Sequence, residues 1–212
     1  MTARAGHGLD MGEPPTLEIR WIRPGHIDAG TRKRFARLPS VSESRLDDYL
    51  IQPDLNELSV KIRAGRALEV KMYRGLLDVL DIPGRARGLM ELWQRWSFPL
   101  GATHHADESS SWQPVHKVRR IAYFSIEDGR LTGCVEPPSG LGCAVELTEV
   151  TMFGRNWWTL GFEASGPTDT LRDIVESTAA HVFAQATAEG LELTLGDSGS
   201  YSSWLRDQLD VR

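Results

Sequence analysis

The sequence predicts an α+β domain in which an antiparallel β-sheet closes into a barrel, with a polar lumen and helices packed outside. Three observations lead there. The first is LNELSVKIRAGRALEVKMYR, residues 55–74, which reads as two strands joined at Ala64-Gly65-Arg66. Leu58, Val60 and Ile62 alternate with Ser59, Lys61 and Arg63, and Leu68, Val70 and Met72 alternate with Glu69, Lys71 and Tyr73. One face is therefore aliphatic and the other charged. The second observation is that several other segments repeat this division. The third is an amphipathic helix over residues 167–189, whose Leu171, Ile174, Val175, Val182 and Phe183 would cover the outside of a sheet. Charged strand faces turned to bulk water would need a separate layer to cover the aliphatic ones. A sheet closed on itself puts the charges in a lumen and leaves the aliphatic faces for outer helices.

Composition narrows the function. With 212 residues, 41% hydrophobic and 25% charged, the chain is expected to bury a real core as one domain, without staples. A formal net charge of -5 argues against a general binder of nucleic-acid duplexes or membrane surfaces. Any polyanion site must then be a local concentration of Lys and Arg. Residues 1–15 are rich in Gly, Pro and polar residues and lack an apolar signal segment, so they are expected to form a disordered leader on a cytoplasmic protein, with residues 16–212 as the domain. No run is long and apolar enough to span a bilayer. Cys134 and Cys143 flank a Gly/Pro-rich loop and are expected as free thiols.

Each element has its own signal. TLEIRWI, residues 16–22, is the first strand, with Leu17, Ile19 and Trp21 opposite Thr16, Glu18 and Arg20. TRKRFARL fits a short helix, and residues 44–51 a short strand ending at Gln52-Pro53-Asp54. After Gly75, the passages LLDVLDI and GLMELWQRW are expected to be helical, because Leu89, Leu92, Trp93 and Trp96 fall at helical spacing. Residues 101–114 read as a polar loop, in which His104, His105 and Asp107 form a weak metal-binding cluster. Residues 115–124 return to strand character, with Lys117 and Arg119 on one face and Val118 and Arg120 on the other. Three further strands follow: 131–136 after the turn at Glu127-Asp128-Gly129-Arg130, 143–150, and 157–164 after Gly154-Arg155-Asn156. Pro167 and Thr168 start the long helix, Gly190 ends it, and Ser200 caps a final short one.

Six basic residues (Arg20, Lys61, Arg63, Lys71, Lys117, Arg119) and four acidic ones (Glu18, Glu69, Glu146, Glu163) thus lie opposite aliphatic faces. Converging Lys and Arg favour a multiply charged anion such as a phosphate chain, whose oxygens accept charge-assisted bonds. Interleaved carboxylates would weaken that site unless a divalent cation, Mg²⁺ or Mn²⁺, bridged them to the ligand.

In this order the motifs resemble the triphosphate tunnel metalloenzymes, or CYTH superfamily, which includes thiamine, inorganic and RNA triphosphatases and class IV adenylate cyclases. Thr16-Leu-Glu18-Ile-Arg20 stands where the family has Glu-x-Glu-x-Lys, and Asp47-Asp-Tyr49 matches its Asp-x-Tyr strand. Lys61-Ile-Arg63 matches its basic strand, Lys71 its following lysine, and Lys117-Val-Arg119, or Arg120 by a one-residue shift, a later basic strand. Glu146 with Glu149, Gly161-Phe-Glu163, and Ser200-Tyr201 through Trp204-Leu205 match the closing segments. Thr16, Arg20 and Gly161 depart from the family pattern.

The resemblance implies a metal-dependent phosphohydrolase of a triphosphate-bearing small molecule. In it, Lys61, Arg63 and Glu18 are catalytic; Arg20, Lys61, Arg63, Lys71, Lys117 and Arg119 bind substrate; and Glu18, Glu146 and Glu163 hold Mg²⁺ or Mn²⁺. Two alternatives stay open: nucleotide cyclisation, and a tunnel that binds a phosphorylated metabolite or polyphosphate without hydrolysis. A lipocalin-like barrel for an apolar ligand explains the strands but not their charges. The assembly is expected to be a monomer or a homodimer.

Overall fold

The computed structural model describes residues 13–55, 57–104, 111–184 and 191–208. The expected leader falls largely on residues 1–12, which lie outside the described residues. Among the described residues nine strands form: β1 (Thr16–Pro24), β2 (Ser40–Leu50), β3 (Leu58–Arg63), β4 (Ala67–Ile82), β5 (Ala86–Pro99), β6 (Trp112–Glu127), β7 (Arg130–Cys134), β8 (Gly142–Met152) and β9 (Arg155–Ser165). Around the sheet the order is β2-β3-β4-β5-β1-β9-β8-β6, every pairing is antiparallel, and β2 pairs with β6 from Ser40↔Ala122 to Leu50↔Trp112. That last pairing closes an eight-stranded barrel. The short β7 continues along β6 beyond the end of β2, over Tyr123 to Glu127.

Passages 76–82 and 88–96, expected as helices, instead belong to the two arms of a long β4–β5 hairpin turning at Pro83-Gly84. Both faces of β5 carry large apolar side chains, so residues chosen from the two faces happened to fall at helical spacing. Ladder pairing with β4 and β1 overrode that local signal. Two register shifts, between Tyr73 and Gly75 and between Leu76 and Asp78, bend the hairpin, and Arg172 of the long helix reaches Asp78 at 2.7 Å.

Among the described residues three α-helices accompany the barrel: α1 (Ala29–Phe35), α2 (Leu171–Ala184) and α3 (Tyr201–Asp207). Asp28 caps α1 by accepting from the Thr31 amide at 2.9 Å, and Ser200 caps α3 by accepting from the Ser203 amide at 3.2 Å. The main core lies outside the barrel wall, where Leu17, Ile19, Trp21, Val145, Leu147, Leu160 and Phe162 meet Leu171, Ile174, Val175 and Phe183 of α2. A second core fills one end of the lumen. Ile22, Tyr49, Val115, Val150, Met152 and Trp157 point inward there, and Leu205, Tyr201 and Trp204 of α3 close over them. The barrel is thus stoppered by apolar side chains at the α3 end. The outer faces of β3 and β4 carry only partial cover, with Leu58, Val60, Ile62, Leu68, Val70 and Met72 half-buried.

Cys134 and Cys143 are free thiols, and burial pushes the Cys143 thiol up to about 12. Among the described residues no helix is long and apolar enough to cross a membrane.

Candidate functional site

The period of two fixes which side chains enter the lumen. On β1, Leu17, Ile19 and Trp21 are held outward beneath α2, with 0 to 1% exposure, so Glu18 and Arg20 must face inward. The same alternation turns Lys61 and Arg63, Glu69 and Lys71, Lys117 and Arg119, Glu146, and Glu163 into the lumen. All six expected basic residues and all four acidic ones line one charged cavity. Arg119, not Arg120, is the inward residue of β6.

The structure adds Arg45 of β2 and both Glu91 and Arg95 of β5 to the wall. In total eight Lys or Arg and five Glu line it. Within a chain of net charge -5 this is a local excess of positive charge, the condition for holding a polyanion.

Three clusters organise the wall. In the first, the fully buried Asp47 carboxylate lies 3.1 Å from Arg45 Nε, 3.4 Å from Lys117 Nζ and 3.7 Å from Lys61 Nζ. Burial alone would push its carboxyl up, but Lys61, Lys117 and Arg45 outweigh that and hold it at about 2. Glu69, paired with Lys61 at 3.1 Å and Arg63 at 2.9 Å, is likewise held at about 2 against burial. Lys117 donates to the Tyr49 hydroxyl at 2.6 Å and sits 3.9 Å over the Tyr201 ring. Burial nonetheless pushes its ammonium well below the usual lysine range.

The second cluster surrounds Glu146, which accepts from Arg119 Nη2, from Arg20 Nη1 at 3.4 Å and from Thr148 Oγ1 at 2.6 Å. Burial would raise this carboxyl; the two guanidiniums hold it well below the carboxylate range. Arg119 Nη1 donates to Glu43 at 2.7 Å, while Arg119 Nε is buried and meets no acceptor among the described residues. In the third cluster, Lys71 Nζ lies 2.5 Å from Glu18 and 3.6 Å from Glu163. Glu91 faces Glu18 across the β1–β5 ladder and accepts from Trp93 Nε1 at 3.2 Å; burial, with Glu18 beside it, raises its carboxyl.

These clusters test the divalent cation that the resemblance implies. Glu18 and Glu163 share Lys71, whereas Glu146 is clamped by Arg20 and Arg119. Among the described residues no group of three or more His, Cys, Asp or Glu is arranged to hold a metal ion. As a set, Glu18, Glu146 and Glu163 do not fit a shared ion, because each already faces a fixed cation of the wall. The His-His-x-Asp cluster is not a second candidate: His105 and Asp107 lie outside the described residues, and His104 is exposed.

The charged cavity opens into a wider vestibule of about 780 Å³, lined by Pro15, Ile121, Tyr123, Pro137, Pro138 and Leu141. Arg20, Arg63, Arg95, Arg119, Glu146 and Glu163 border both spaces. The vestibule lies at the opposite end of the lumen from α3. Glu13, expected in the leader, reaches its rim, where its carboxylate accepts from Arg95 Nε at 3.0 Å.

A closed antiparallel barrel with a basic lumen and outer helices is the architecture that the resemblance predicts. The fold is a tunnel-type barrel. No protein-family model matches the chain, and no curated protein does. Solved structures similar to it include the following two. One is the Mimivirus capping-enzyme triphosphatase, at 12% identity and a TM-score of 0.45, covering 84% of this chain and 92% of that one. The other is the S. pombe Pct1 RNA triphosphatase in complex with the Spt5 CTD, at 10% identity and a TM-score of 0.39, covering 82% and 81%.

What sequence reasoning missed in the tunnel has a simple cause. Glu91 and Arg95 lay in a passage read as helix, and Arg45 in a strand whose polar residues occupy both faces. The matched Asp-x-Tyr pair was the available signal, since Arg45, Asp47 and Tyr49 share one face.

Proposed function

We propose that this protein binds the phosphate chain of a triphosphate-bearing small molecule in its tunnel and hydrolyses it, as a divergent member of the triphosphate tunnel family. The observation that carries this reading is the buried Arg119 Nε without an acceptor, in a wall where Lys and Arg outnumber Glu. An unpaired buried donor costs about 1–3 kcal/mol, and a phosphate oxygen entering from the vestibule would satisfy it. Lys61 and Arg63 clamp the chain from β3, with Arg20, Lys71, Lys117 and Arg119 completing the grip. Glu18, bound to Lys71, orients the attacking water. Catalysis then rests on positioning and on charges fixed in advance of the reaction.

The test is phosphate release from tripolyphosphate, thiamine triphosphate and ATP, each with Mg²⁺, with Mn²⁺ and with chelator, comparing the parent with Lys61→Ala, Arg63→Ala and Glu18→Gln. Release from at least one compound, reduced at least 100-fold in Lys61→Ala and Arg63→Ala, is expected. An unchanged rate in both would remove the clamp from the reading.

A second reading, capture of the phosphate chain without hydrolysis, is favoured by Thr16 and Gly161, which stand where the family resemblance places acids. Tight binding of the same compounds with no release under any metal condition would select it.

A further inference from the structure

Arg20 and Gly161 each depart from the family pattern, and the structure shows that the two departures fit each other. They are directly opposed in the β1–β9 ladder, and Glu146 opposes Gly161 on its other side. The row therefore runs Arg20, Gly161, Glu146 across three adjacent strands, all facing the lumen. A Cβ at position 161 would stand 2.9 Å from Arg20 Cζ and 3.0 Å from each Nη nitrogen. The contact to Cζ is closer than real Cβ atoms come, so the guanidinium as placed occupies the space that a side chain at 161 would need. Arg20 reaches across the glycine, donating from Nη1 to Glu146 at 3.4 Å and to Thr159 at 3.1 Å, with its guanidinium 4.6 Å from the Tyr201 ring centroid.

All three carboxylates expected to hold the metal act on this one group. Glu146 touches it, Glu18 adds its attraction, and Arg20 in turn helps hold the Glu163 carboxyl down, after Lys71, burial and Arg95. Burial alone would lower the Arg20 pKa; with these partners it is raised.

Resting on the triphosphate reading above, we infer that the Arg20 guanidinium is the tunnel's resident cation. It neutralises Glu18, Glu146 and Glu163 in place of a divalent ion, so the tunnel takes a phosphate chain without added metal. Among the described residues both hydrogen bonds of the Arg20 side chain leave from Nη1, which keeps the Nη2 and Nε donors for phosphate oxygens. A guanidinium suits this role better than an ammonium, because its planar fork serves a carboxylate and a phosphate at once. Gly161 is then the price of that arrangement.

The experiment is calorimetric titration of the full chain with tripolyphosphate, after chelator treatment and again with Mn²⁺, for the parent and for Arg20→Gln. Circular dichroism confirms that the variant is folded. The parent is expected to bind in chelator, with a Kd that Mn²⁺ changes by less than threefold. Arg20→Gln is expected to bind at least tenfold more weakly in chelator and to recover part of that loss with Mn²⁺.

Parent binding only in the presence of Mn²⁺ would overturn the inference and leave the triphosphate reading standing. Undiminished metal-free binding by Arg20→Gln would overturn it too. Absence of binding by the parent in both conditions would overturn both readings. A second variant needs no phosphate at all. Arg20→Gln combined with Gly161→Glu restores room and a carboxylate together, and should bind Mn²⁺ in an electron paramagnetic resonance titration in which the parent does not. Mn²⁺ binding by the parent, lost in Glu18→Gln, would show that the carboxylates take a metal despite Arg20 and would sink the proposal.

Discussion

Asp47 sits out of reach of water with three cations around it, and its removal should be felt more than that of any other lumen carboxylate. Asp47→Asn would leave Arg45, Lys61 and Lys117 without their shared anion, and breaking a buried pair in this way costs about 3–5 kcal/mol. Urea unfolding of the variant should show that loss; a change under about 1 kcal/mol would mean that the cluster is solvated in practice. The same residue sets an acid limit. Asp47 and Glu69 have folded values near 2 against ordinary values of 3.8 and 4.5. Their folded pKa is depressed, so the stability they contribute is present above the unfolded values and is lost as pH falls through the folded ones. The melting temperature should hold steady from neutral pH down to about pH 5 and then fall towards pH 2. A flat profile across that window would contradict the pairing. Asp47 was legible in the sequence as one half of an Asp-x-Tyr match, and Lys61 and Lys117 as inward basic residues, but their meeting at Asp47 was not, since they arrive from different strands.

At the scale of elements, alternation was a sound guide wherever one face of a strand meets a helix or the lumen. β1, β3, β8 and β9 show this division, and their charged inward residues were legible from sequence alone. The β4–β5 hairpin was not, because Trp93 interrupts the polar face to which Glu91 and Arg95 belong: Met90 packs outward into the core while Trp93 faces the lumen beside those two. A period of two is blurred when large apolar residues stand on both faces, and the pairing partners that decide the matter are remote in sequence. The hairpin also depends on a close approach that no pattern reveals. A Cβ at Gly88 would come within 2.6 Å of Trp21 Cζ2 and 2.7 Å of Ile19 Cγ2. Gly88→Ala should therefore push β5 away from β1 and cost about 1–3 kcal/mol, seen as a lower melting temperature with tripolyphosphate binding retained on the folded fraction. An unchanged melting temperature would mean that β5 yields freely at this point.

Over the whole molecule, the barrel separates two kinds of interior: an apolar layer shared with α2 outside the wall, and a lumen that is charged in the middle and stoppered by α3. That the charges turn inward was legible from their position opposite aliphatic faces; that one end is sealed was not, because Val115, Val150 and Met152 look like ordinary strand residues until the register places them inside. Closure also carries a consequence for biosynthesis. β1 meets β5 through only three residue pairs, whereas it meets β9 through eight, from Leu17↔Ala164 to Pro24↔Trp157. The first strand made must therefore wait for the last, on the order of ten seconds at usual translation rates. Until β9 emerges, β1 and β8 both present open edges, with Leu17, Ile19 and Trp21 uncovered. A chain ending at Gly154 should accordingly be recovered in the pellet, while the full chain is soluble, and recovery of the shortened chain as a soluble monomer would disprove this. In the cell, the nascent protein before its ninth strand is the form that a chaperone must shield.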